Sequence, residues 1–105
     1  MDEVTLVRHS YQLVRKDFGL EDEMEFEKEK ISFDRLEEHL TKQVNYLLDN
    51  DLGRLLNALY RIDISEDITK ELLQNSKQGE IARNLARAII EREKQKVLTR
   101  QKYQP

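Results

Sequence analysis

A single proline occurs in these 105 residues and it is the last of them, while the three glycines stand alone at positions 19, 53 and 79. Proline and glycine are the residues that interrupt helices most strongly, by roughly 3 and 1 kcal/mol relative to alanine. The rest of the chain is rich in Leu, Glu, Lys, Gln and Arg, which favour helix. The predicted fold class is therefore all-α, a small helical bundle of four or five helices with mostly antiparallel neighbours. Hydrophobic residues make up 38% and charged residues 37% of the chain, so the core must be assembled from narrow apolar stripes. No Pro-, Gly- or Ser-rich stretch divides the chain, which predicts one helical domain over residues 1–105, with a basic helical tail over about 91–105.

The stripes locate the helices. Val4, Val7, Tyr11, Val14 and Phe18 are spaced 3, 4, 3, 4 and precede Gly19, a left-handed terminator, which predicts a first helix over 2–18. That spacing is also the spacing of a candidate dimer seam, and Leu6 and Leu13 form a second ridge on another side. Residues 21–29 alternate acids with Met24 and Phe26 and read as a linker or a short helix. Ser32 is a predicted N-cap for a second helix over 33–48, carrying Phe33, Leu36, Leu40, Val44, Leu47 and Leu48. Asp49-Asn50-Asp51 supplies a turn and a cap before a third helix over 51–61, expected to lie antiparallel to the second. Ser65 caps a short fourth helix over 66–74, residues 74–79 form a loop, and a fifth helix runs from about 80 to 100 and frays beyond.

The fifth helix changes character along one face. Ile81, Ala82, Leu85, Ala86, Ile89 and Ile90 share an apolar side, after which the same angular positions bring Arg92, Lys96 and Arg100, with Tyr103 close by. The core is thus expected to stop near Ile90, and the four later residues are candidates for contact with a partner or with phosphate. Like charges at i and i+4 destabilise an isolated helix by roughly 0.2–0.5 kcal/mol per pair, so something acidic should sit opposite. Residues 21–29 are the nearest candidate in the chain. The net charge of −3 conceals the same asymmetry, since residues 1–79 carry 11 basic against 18 acidic residues and residues 80–105 carry 7 against 3.

Chemistry-bearing motifs are scarce. There is no cysteine, and the two histidines, His9 and His39, lack the Glu-x-x-His spacing of a carboxylate-bridged metal bundle. His39 is flanked one turn away by Arg35 and Lys42 and reads as solvated. Glu37 and Glu38 diverge by about 100° on a helix and read as surface charges. No glycine loop or serine-elbow motif is present. The expectation is no enzyme, no metal and no cofactor. The amino terminus is acidic where a secretion signal is basic, and no apolar run approaches the ~20 residues of a membrane span, so a cytoplasmic protein with no membrane association is expected.

The stretch Leu85-Ala86-Arg87-Ala88-Ile89-Ile90-Glu91-Arg92-Glu93-Lys94-Gln95-Lys96, then Thr99-Arg100-Gln101, together with Leu59-Tyr60-Arg61-Ile62-Asp63-Ile64-Ser65, resembles short bacterial all-α proteins of unknown function. The resemblance covers residues 51–102 and implies a bacterial cytosolic origin, with no activity to carry over. The function expected from the residues is a noncatalytic protein–protein interaction module that self-associates or joins a larger complex. The alternative is a nucleic-acid-associated protein using the basic end of the last helix; an acidic body argues against it.

Overall fold

Residues 2–19 and 32–103 are described by a computed structural model, and all of the regular structure among them is helical. Five helices follow one another: α1 (Glu3–Phe18), α2 (Phe33–Asn50), α3 (Leu52–Ile62), α4 (Glu66–Asn75) and α5 (Ile81–Tyr103). They form a small all-α bundle.

Local chemistry sets the helix starts. The first amide groups of a helix have no partner within it, and a short polar side chain just ahead supplies one. Asp2 Oδ1 accepts from the Thr5 amide at 2.8 Å, Ser32 Oγ from Arg35 at 3.2 Å, Asp51 Oδ1 from Arg54 at 3.1 Å and Ser65 Oγ from Ile68 at 3.2 Å. Asp51 also closes α2, donating its amide to Leu47 O, so one residue is the whole joint between α2 and α3.

The ends are set by left-handed residues. Gly19 terminates α1 at φ 64° and returns its amide to Arg15 O and Lys16 O. Asp63 terminates α3 at φ 70°, with its amide on Tyr60 O and the Ile64 amide on Leu59 O, the paired arrangement usually built on glycine. Asp tolerates this region better than most residues because its short carboxylate is satisfied locally. The carboxylate here is largely exposed and also pairs with Arg92 of α5.

α5 is the central strut, touching all four other helices and most extensively α2 and α1. The core joins Val7, Val14 and Phe18 of α1 with Leu36, Leu40, Val44 and Leu47 of α2, Leu55, Ala58, Leu59 and Ile62 of α3, and Ala82, Leu85, Ala86, Ile89 and Ile90 of α5. Each large aliphatic among them is worth roughly 1.5–3 kcal/mol by its removal from water. Ala82 and Ala86 are buried small residues that let neighbouring backbone come close. α4 contributes no buried residue and leans on the cluster through half-buried Leu72 and Leu73.

The hydrophobic cluster of the core ends at Ile90 on α5, as expected, but burial does not: Glu93 and Val97 on the same side are covered, at 0% and 5% exposure. The α1 seam is corrected, because it is not a free surface. Val7, Val14 and Phe18 lie inside the protomer and Tyr11 packs at the edge of the core, which leaves only Val4 exposed. A 3-4 repeat records that one side of a helix is covered, and here α2, α3 and α5 of the same chain cover it. No helix among the described residues is long and apolar enough to cross a membrane. The expectations for residues 21–29 lie outside the described residues.

Candidate functional site

α5 continues its inward side through Ala82, Ala86, Ile89, Glu93 and Val97, steps of three or four residues that hold one face of a helix. The fourth of these is an acid. Glu93 has no exposed surface, and neither carboxylate oxygen has a well-directed hydrogen bond. Lys96, one turn on, brings its ammonium to 3.0 Å from Glu93 Oε1 and to 3.7 Å from Asp17 Oδ2 at the end of α1. Side chains of Asp17 and Lys96 keep 16% and 19% of their surface, so the trio runs from the interior to the edge of the α1–α5 contact. Ser10 Oγ of α1 is a further buried polar atom without a hydrogen-bond partner.

Two carboxylates share one lysine here. Burial raises the pKa of Glu93 from 4.5 to about 7, with the carboxylate of Asp17 adding to the rise and the Lys96 ammonium opposing it. The neutral acid suits the site, because a protonated Glu93 can donate to Asp17 while Lys96 balances the remaining charge. Asp17 also lines an open cleft with Gly19, Asp51, Arg54 and Arg61, where α1 ends and α3 begins. Arg54 crosses that junction, donating from Nη2 to Phe18 O at 3.0 Å and to Gly19 O at 3.3 Å.

The residues singled out for partner or phosphate contact do not act as one line. Arg92 is engaged by Asp63, 3.1 Å to Oδ2 and 3.3 Å from its Nε to the Asp63 carbonyl oxygen, and Lys96 is engaged by Asp17 and Glu93. Arg100 is exposed, and Tyr103 is 76% exposed with Lys102 at 5.9 Å from its ring centre. On the other side of α5, Arg83 and Arg87 both pair with Glu37, and Lys94 sits 4.9 Å above the Phe33 ring. Glu37 is thus a half-buried anchor between α2 and α5, where a surface charge was expected. His39 is half-buried too, and burial, followed by the charge of Lys42, lowers its pKa. Among the described residues no group of three or more His, Cys, Asp or Glu side chains is placed to hold a metal ion.

A second feature lies on α3. Its inward side is Leu55, Ala58, Leu59 and Ile62, whereas Leu52, Leu56 and Tyr60, spaced by four, keep 46%, 42% and 85% of their surface. Gly53 lies beside this ridge, and a Cβ placed there would meet only its own Asp51 carboxylate, at 3.9 Å. The sequence carried a signal for Glu93, since it falls four residues after Ile89 and four before Val97. It carried none for which α3 leucines stay outside, because both sides of that helix are apolar.

Comparison of the chain with protein-family models, with curated proteins and with solved structures gives no match.

Proposed function

We propose that the chain is a noncatalytic helical interaction module that self-associates or joins a larger complex through the outer side of α3. The observation that carries this reading is the Leu52–Leu56–Tyr60 ridge. Scattered exposed apolar residues are ordinary, but three large ones in register on one helix make a ridge of the kind that seats in the groove of another helix. Gly53 at its shoulder leaves room for a close approach. Its setting is a reducing compartment such as the cytoplasm, a reading with which the lack of cysteine agrees.

The nucleic-acid alternative has less behind it. Phosphate binding draws on unpaired cations, and Arg92, Lys96, Arg83 and Arg87 all have carboxylate partners in the chain.

Light scattering after size-exclusion chromatography, run over a range of concentrations, tests the reading. A dimer that Leu56→Glu converts to a monomer of unchanged helicity supports it, since Leu56 is outside the core. A monomer at every concentration, with no effect of Leu56→Glu, removes self-association through α3.

A further inference from the structure

We propose that the contact between α1 and the distal part of α5 is a proton-operated clamp, closed when Glu93 holds a proton against Asp17 and loosened when that proton leaves. The inference is independent of the α3 reading. It stands first on placement: an acid with no exposed surface, on the inward side of α5, beside a second carboxylate from α1 and a single lysine.

Charge counting gives the two states. With Glu93 protonated, Asp17 and Lys96 form one ion pair, the group is neutral, and the proton has an acceptor in Asp17. With Glu93 ionised, two negative charges share one positive charge in a site where Glu93 has no water to turn to, an arrangement that burial makes costly. Asp17 and Lys96 are the ionisable groups acting on Glu93, and none from α2, α3 or α4 does so among the described residues. Among the described residues, the proton therefore bears on the α1–α5 contact.

The elements at stake follow from the topology. Beyond Glu93 the only buried side chain of α5 is Val97, so the last turns rest on little else. Opening this end would release residues 94–103, with Arg100 and Tyr103, from α1. Because the folded pKa lies above that of the open form, closed clamps bind more protons than open ones between 4.5 and about 7. The clamp is thus firm in acid, weakens as pH rises through that window, and levels off above it. Near neutrality both states of Glu93 are populated.

Amide hydrogen exchange of the full chain from pH 5 to 8.5, corrected for the intrinsic pH dependence of exchange, tests the clamp. Opening of residues 94–103 and of the last turns of α1 should grow up to about tenfold per pH unit towards pH 7 and then level off. Glu93→Gln, which keeps a donor for Asp17 and cannot ionise, should leave the profile flat. A carbon-detected titration of the Glu93 carboxyl provides a second readout that needs no variant, with a midpoint near 7 expected and a lower one in Asp17→Asn. A Glu93 midpoint near 4.5, or the same pH profile in wild type and Glu93→Gln, overturns the proposal.

Discussion

Val97→Ala, set beside Leu98→Ala, gives the sharpest check on how far the interior reaches along α5. Val97 is 5% exposed and Leu98 44%, although the two are adjacent and leucine is the larger residue. Replacing Val97 removes two methyl groups from the interior, at ~0.8 kcal/mol each for lost transfer. A residual cavity that neighbours fill only partly adds to this, and the better helix propensity of alanine returns about half a kcal/mol. The expected loss is about 2 kcal/mol. For a domain of this length, whose total stability is on the order of 5–15 kcal/mol, that is a substantial fraction, equivalent to roughly 8 °C or more in Tm. Leu98→Ala should cost less than about 1 kcal/mol. Urea unfolding at pH 5.5, where Glu93 is protonated, measures both, with the slope m expected to stay constant so that midpoints report stability. A smaller loss for Val97→Ala than for Leu98→Ala would refute the burial of α5 past Glu93.

Two further substitutions probe other parts of the frame. Arg54→Ala removes the donor on Phe18 O and Gly19 O and should cost about 1 kcal/mol, read as a lower urea midpoint together with faster amide exchange in the last turn of α1. Ser65→Ala removes the α4 cap at about 1 kcal/mol; because α4 buries no residue, the loss should appear as faster exchange within α4 and hardly move the global midpoint.

The helices could be read from the sequence wherever their signals are local. Ser32, Asp51 and Ser65 cap α2, α3 and α4 through hydrogen bonds to amides three residues on, and Gly19 stops α1 within the same turn. The all-α class rests on the same short-range propensities. The stop at Asp63 is less legible, since the left-handed position that a glycine usually signals is held here by an aspartate. The burial beyond Ile90 is hidden for another reason. Lys96 finds its acidic company in Glu93 and in Asp17 of α1, and periodicity within α5 carries no information about α1. On α3, where Leu52, Leu55, Leu56 and Leu59 offer two apolar sides, the choice between them was made by where α1, α2 and α5 stand. A pattern along one helix cannot express that choice.

The meagre footing of α4 has a practical corollary. Residues 77–80, between it and α5, are exposed, and the Asn84 amide to Ser76 Oγ contact is a slender tie across the junction. A protease would find its substrate there before it reached any of the four helices that share the interior. Cut at that junction, the polypeptide becomes a piece carrying four helices and a short piece holding α5 alone, whose inward side chains still match the interior they fill.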